Sequence, residues 1–223
     1  MRAELVRESG RVIKKASASP YLFRHLTDNL QGYRDWLHEA GFKTPETQIR
    51  YSNGHVVFEQ EEVVGEVCLD VELVIGKIRR LSFNTYGMDS NPHNFLGNGE
   101  VSFVDFFPLL TRDTQALDQQ FDYSSQEALR RYFTPENILM FYVVRMFKED
   151  SAKAMVALKL VKDDLITSYD IVLPREKVRL MRALHLYSQD NIDDYPTIYT
   201  ATKKVNLITE QENLSLYEKL KTL

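Results

Sequence analysis

Two turn dipeptides constrain this chain more than any other feature. Ser9-Gly10 lies between the β-favouring runs AELVRE and RVIKKA, and Asn53-Gly54 lies between TQIRYS and HVVFEQ. Asn-Gly is the strongest short hairpin signal because both residues tolerate positive φ. Each pair therefore predicts a β-hairpin. The segment between the hairpins supplies a partner for them. Over Tyr21–Ala40, Leu22, Leu26, Leu30, Tyr33 and Leu37 recur at steps of three or four, predicting a helix with one apolar stripe. Gly32 inside that helix costs about 1 kcal/mol relative to alanine.

An acidic connector, Glu59–Gly65, follows the second hairpin, and helical spacing returns over Leu69–Phe83, with Leu69, Leu73, Ile78 and Leu81 as candidate core residues. Residues 86 to 108 are dense in Gly, Asn and Pro and then become a short strand, VSFVDF. From there onward the chain reads as helices: Ser124–Tyr132, Pro135–Lys148, Ser151–Lys162, Pro174–Ser188 and Glu210–Thr222. Pro135 and Pro174 each sit in a first turn with acid close behind, complementing the helix dipole. A strand-rich beginning and a helical remainder predict an α+β fold of two unequal lobes, residues 1–62 and 63–223.

Composition narrows the function classes. Apolar residues make up 43% and charged residues 27%, the proportions of a globular core with a solvated surface. The 28 basic and 32 acidic side chains leave a net charge of -4, which argues against a dedicated nucleic-acid binder. One cysteine, Cys68, excludes an intramolecular disulfide and a thiolate metal cage. The N-terminal run MRAELVRESGRVIKK carries charge where a secretory leader needs an apolar stretch. No segment approaches the roughly 18 apolar residues of a membrane span. The expectation is a cytoplasmic protein that contacts no membrane.

Chemistry concentrates in Asp89-Ser90-Asn91-Pro92-His93-Asn94. Eleven residues beyond Asn94, Val104-Asp105-Phe106 puts a carboxylate after a short apolar strand. This pattern resembles the protein-kinase-like superfamily, most closely its small-molecule, aminoglycoside phosphotransferase-like branch. That branch carries an H-G-D-x-x-P-x-N loop followed by an apolar-apolar-Asp-Phe strand end. Three fixed residues at about 5% frequency each match by chance at roughly one position in eight thousand. The order hairpin, helix, hairpin, connector, helix, loop, strand runs the same way.

Phosphoryl transfer needs a carboxylate to align the acceptor hydroxyl and a metal to neutralise the polyphosphate. A hard cation such as Mg²⁺ takes one or two protein oxygens together with phosphates and waters. The resemblance implies that Asp89 orients or deprotonates the acceptor hydroxyl, while Asn94 and Asp105 hold Mg²⁺. Val12-Ile13-Lys14 is similar to the V-A-I-K strand whose lysine meets the α- and β-phosphates of ATP, with Lys15 as a competitor. The acid expected to steady that lysine belongs to the next helix, where Asp28, Asp35 and Glu39 are candidates and Asp28 ranks first. The connector falls where the family's hinge meets adenine through backbone N–H and C=O groups. The implied partners are a nucleotide and a small-molecule acceptor.

The chain departs from the pattern in two places. Only thirteen residues precede Lys14, leaving no counterpart of the family's first strand and glycine-rich loop, and Tyr86-Gly87-Met88 stands where the loop's histidine belongs. These departures motivate a second expectation, a kinase-like pseudoenzyme that binds nucleotide or a protein partner without turnover. His93 reads as a neighbour of the loop's chemistry rather than a base. The acidic run Ser188–Asp194 reads as a solvated loop, and Lys203-Lys204 supports no nucleic-acid role.

Overall fold

The computed structural model describes residues 4–97, 100–105, 108–110, 115, 118, 125–202 and 207–223. Both turn dipeptides do what their chemistry predicts. Ser9 (φ 52°) and Gly10 (φ 73°) join β1 (Glu4–Glu8) to β2 (Arg11–Ser17). Asn53 (φ 50°) and Gly54 (φ 75°) join β3 (Thr47–Ser52) to β4 (His55–Glu61). The two hairpins merge into one antiparallel sheet in the order β1-β2-β4-β3. Between them runs α1 (Pro20–Glu39), started by Pro20 in the first turn and by the Ser19 hydroxyl, which accepts from the Leu22 N–H at 3.1 Å.

The apolar stripe of α1 serves two cores. Leu22 and Leu26 pack with Val56 and Phe58 under the sheet. Two and three turns beyond Leu26, Tyr33, Trp36 and Leu37 enter the main core, which continues through the helical remainder. Helix α1 therefore ties the sheet to everything downstream.

After β4 the chain forms β5 (Glu66–Val67), α2 (Val71–Ile78), β6 (Tyr86–Gly87), β7 (Phe95–Gly97), β8 (Val101–Phe103) and β9 (Leu109–Leu110). These short strands make two small antiparallel sheets, β5-β7-β8 and β6-β9. Further on come α3 (Ser125–Phe133), α4 (Pro135–Glu149), α5 (Ser151–Thr167), α6 (Pro174–Ser188), α7 (Tyr195–Ala201) and α8 (Glu210–Thr222). Helix α4 is apolar around most of its circumference, with Ile138 through Val144 all buried, as a helix enclosed by others must be. Thr209 and Glu212 form a reciprocal capping box at the start of α8. No helix among the described residues is long and apolar enough to cross a membrane.

The fold is α+β, as the pattern predicts, and α6 and α8 begin and end where the sequence places them. Three readings need correction. The helix expected over Leu69–Phe83 spans only Val71–Ile78, because Asp70 caps it by accepting from the Leu73 N–H at 3.0 Å. Its buried stripe is then Val71, Val74, Ile75 and Ile78, which leaves the candidate core residues Leu69 and Leu73 exposed at 41% and 43%. The strand expected over VSFVDF is shorter, Val101–Phe103, and its Phe106 lies outside the described residues, as do Lys203 and Lys204. Helix α7 went unread behind the acidic run, yet it buries Tyr195 and Tyr199.

Gly32 has a steric reason to interrupt a helical stripe. The Tyr86 ring sits against Tyr33 and Trp36, with centroids 5.6 and 5.8 Å away, and a Cβ at position 32 would collide with the Tyr86 hydroxyl. Gly32→Ala should therefore destabilise by about 1–3 kcal/mol, as overpacking does, despite the helix propensity gained. In a Tyr86→Phe background, with the hydroxyl gone, the same change should be neutral or stabilising. Urea midpoints for the four proteins test this, and an alanine that stabilises with Tyr86 intact would refute it.

Candidate functional site

Strand β2 presents its side chains alternately to the two faces of the sheet. Lys14, paired with Leu5 on one side and Phe58 on the other, is partly buried, whereas Lys15 is exposed. The choice between the two lysines thus falls to Lys14. Its Nζ lies 3.0 Å from Asp105 Oδ1, an ion pair that joins residues 91 positions apart in sequence.

The loop carrying Asp89 is held on both flanks. The Met88 N–H donates to Tyr132 O at 3.0 Å, and the buried Ser90 hydroxyl donates to Ile138 O at 2.6 Å. Gly87 makes the first contact possible, since a Cβ there would strike the Tyr132 carbonyl and the Phe133 ring. Asp89 is thereby pinned to the corner between α3 and α4. Within the loop, the Asn91 N–H donates to Asp89 Oδ1 at 3.2 Å, and Asn94 Nδ2 donates to the Asp89 carbonyl at 2.9 Å. Pro92–Asn94 forms a 3₁₀ turn, and the Val104 N–H donates to Asn94 O at 2.9 Å. That last bond brings the residue before Asp105 alongside the end of the loop.

Lys14, Asp89, Asn94 and Asp105 consequently line one cleft of about 900 Å³. The same cleft is bordered by Val12 on β2 and by the connector residues Glu61–Gly65. Glu59–Glu61 of the predicted connector belong to β4. Beyond them, the Glu62 N–H is used by Gly10 O at 2.9 Å, but Val63 and Val64 have no backbone hydrogen bond with any described residue. Their N–H and C=O groups offer a donor and an acceptor at the rim.

Electrostatics mark Asp89 as the unusual carboxylate. Burial raises its pKa above the ordinary range and the negative charge of Asp105 adds to the rise, against the opposing pull of Arg131, Arg145 and the Asn91 N–H. Tyr33, buried on α1, feels both carboxylates: burial first, then Asp105 and Asp89, hold its hydroxyl well above the usual phenol value. His93 lines the cleft mouth and pairs with Glu149 at 3.0 Å, consistent with a neighbour's role.

Asn94 and Asp105 suit a hard cation. The Asn94 amide nitrogen is committed to the Asp89 carbonyl, its oxygen has no hydrogen bond among the described residues, and Asp105 supplies a carboxylate. Two protein oxygens plus phosphates and waters match how Mg²⁺ is bound. Among the described residues no three His, Cys, Asp or Glu side chains gather as a self-sufficient metal cage.

Asp28 is not part of this gathering. It is exposed on α1, as are Asp35 and Glu39, and the acid that meets Lys14 is Asp105. Sequence reasoning passed over Tyr33, Arg131 and Arg145 as site residues; Tyr33 belongs to the apolar stripe, and nothing in a linear pattern marks the arginines. Comparison with known proteins found no matching family model, no similar curated protein and no similar solved structure.

The raised pKa of Asp89 has a consequence for stability. Its native pKa lies above the unfolded value of about 3.9, so between those two values the native state holds more protons than the unfolded one. Its contribution is then fully present below the unfolded pKa and lost as pH rises through the native pKa. Asp89→Asn, which keeps an oxygen for the Asn91 N–H, should be more stable than the parent at neutral pH, with the difference vanishing in acid. Denaturant midpoints across pH check this; a variant less stable at neutral pH would contradict it.

Proposed function

We propose that the cleft binds ATP with Mg²⁺ and that the protein transfers the γ-phosphoryl group to a hydroxyl of a small molecule. The observation that carries this reading is the convergence of Lys14, Asp89, Asn94 and Asp105, drawn from 92 positions of sequence, on one cleft. On this reading the sheet with α1 would form one lobe, and the Asp89 loop with the helices the other.

Each residue then has a task. The open backbone groups of Val63 and Val64 take the donor–acceptor edge of a purine. Lys14 places an ammonium on the phosphates, which requires it to leave or share Asp105. Asn94 and Asp105 hold the cation, whose chemistry is to neutralise charge on the polyphosphate. Asp89 accepts a hydrogen bond from the acceptor hydroxyl and takes its proton as the phosphoryl group departs. A carboxylate pushed above its ordinary pKa is a better base for that step, and the two backbone clamps on Met88 and Ser90 keep it in position.

A second reading, a nucleotide-binding regulatory module without turnover, has its own support. Asp105 is engaged by Lys14, and no described strand lies beyond β1 to cover the phosphates. Covering matters because it excludes water and strengthens interactions with the transferring group.

A thermal-shift titration with ATP and Mg²⁺ tests both readings. Saturation at 100 times the dissociation constant should stabilise by about 2.7 kcal/mol, and Lys14→Ala should remove most of that gain. Slow ATP turnover that falls by about 10²–10⁴-fold in Asp89→Asn supports the transferase. A shift without turnover leaves the regulatory module, and no shift removes both.

A further inference from the structure

The function just proposed gives Lys14 a task and leaves Arg7, the other long cation lining the cleft, without one. Register fixes where the two stand. Strand β1 pairs Leu5 with Lys14 and Arg7 with Val12, and directly paired residues share a face of the sheet. All four side chains accordingly line the cleft as one wall. On the other side of β2, Val12 is paired with Gln60 and Lys14 with Phe58. Arg7, Val12 and Gln60 therefore make one rung across three strands, and Lys14 stands two residues further along β2, about 7 Å away.

That rung lies at the connector. Glu62 follows Gln60 by two residues, and its N–H donates to Gly10 O at 2.9 Å, which stitches the start of the connector to the tip of the β1–β2 hairpin. Arg7 Nε lies 3.7 Å from Glu62 Oε1, too far for a hydrogen bond. The Arg7 side chain is 70% exposed, and an exposed pair of this kind holds its partners loosely. Glu62 thus keeps the guanidinium beside the connector while leaving its plane free to turn. Val63 and Val64, with their open backbone groups, come next in the chain. A purine held there by its edge would turn a flat face to the wall, where Arg7 and Val12 meet it. A guanidinium is planar, weakly hydrated and stacks on aromatic faces, whereas an ammonium is a point charge. Two cations one step apart then suit two parts of one nucleotide, Arg7 the base and Lys14 the phosphates.

We infer that Arg7 covers the base of the bound nucleotide, its guanidinium plane stacked on the purine whose edge meets Val63 and Val64, with Glu62 steering it there. The inference rests on the nucleotide-binding reading and adds to it the residue that sets affinity for the nucleoside half of the ligand. It also supplies, from a single side chain, part of the covering that no described strand beyond β1 provides. The arginine stem, exposed in the empty cleft, would be buried against the base.

The test compares ATP with inorganic tripolyphosphate, each with Mg²⁺, by isothermal titration calorimetry on the full chain, Arg7→Ala and Arg7→Tyr. Both variants lack the charge, so the difference between them reads a flat ring alone. Position 7 is exposed on an edge strand, where tyrosine is well tolerated. ATP affinity should fall about three- to tenfold in Arg7→Ala, the size of one cation–π contact. It should return to within about twofold of the parent in Arg7→Tyr, since a ring stacks on a base as a guanidinium does. Tripolyphosphate affinity should stay within about twofold in both, because an exposed charge is screened beyond its neighbours. An equal fall for tripolyphosphate makes Arg7 a phosphate ligand and overturns the inference. Unchanged ATP affinity in Arg7→Ala, or no recovery in Arg7→Tyr, overturns it as well. In each of these cases the parent's ATP binding leaves the nucleotide reading standing. No ATP binding by the parent removes that reading and the inference together.

Discussion

Everything at the cleft depends on two hydrogen bonds to backbone carbonyls of other elements. Met88 donates to Tyr132 and the Ser90 hydroxyl donates to Ile138, so the residue between them cannot shift without breaking one or both. Buried polar groups left unpaired cost on the order of 1–3 kcal/mol each. The clamps therefore hold a carboxylate where its own electrostatics are unfavourable. A freely moving Asp89 would turn toward water and away from Asp105. Held in place, it keeps a raised pKa, and the unfavourable environment becomes a property of the site.

The parts of the fold legible in the sequence are those decided locally. Positive φ at Ser9, Gly10, Asn53 and Gly54 is a property of the residues themselves, and both hairpins form there. Helices α6 and α8 carry their boundaries in local chemistry, Pro174 in one case and the Thr209–Glu212 box in the other. The two- and three-residue strands β5, β6, β7 and β9 carry no such signal. They exist because partners from elsewhere in the chain pair with them, as Tyr86 and Gly87 do with Leu110 and Leu109. Leu73 shows the same limit from another side: its burial depended on where Asp70 would cap the helix.

The candidate site divides along the same line. Asp89 and Asn94 sit on one turn, so spacing alone described their relation, and the Asn94 amide does bond to the Asp89 carbonyl. Lys14 and Asp105 are 91 residues apart, and their pairing had to wait for β2 and the end of β8 to be set side by side. Periodicity could not choose the lysine's partner among Asp28, Asp35 and Glu39, because it sees one helix at a time. On α1 it is Tyr33, an apolar-stripe residue with a polar tip, whose hydroxyl is raised in pKa by burial and by both carboxylates.

The charges around the cleft set a condition on any phosphate-bearing ligand. Glu61, Glu62, Glu66, Asp89 and Asp105 line it, against Arg7 and Lys14. Five acids to two bases is a field that repels a polyphosphate arriving alone. The ion pair between Lys14 and Asp105 deepens the mismatch, because the cation best placed for phosphate is already satisfied. On the proposed reading, Asp105 would serve as a ligand to a divalent cation drawn by these acids, and the Lys14 ammonium would then be free for the phosphates. Nucleotide and metal would accordingly bind as a pair. The acidity that looks unsuited to ATP would then favour its metal complex over the free polyphosphate.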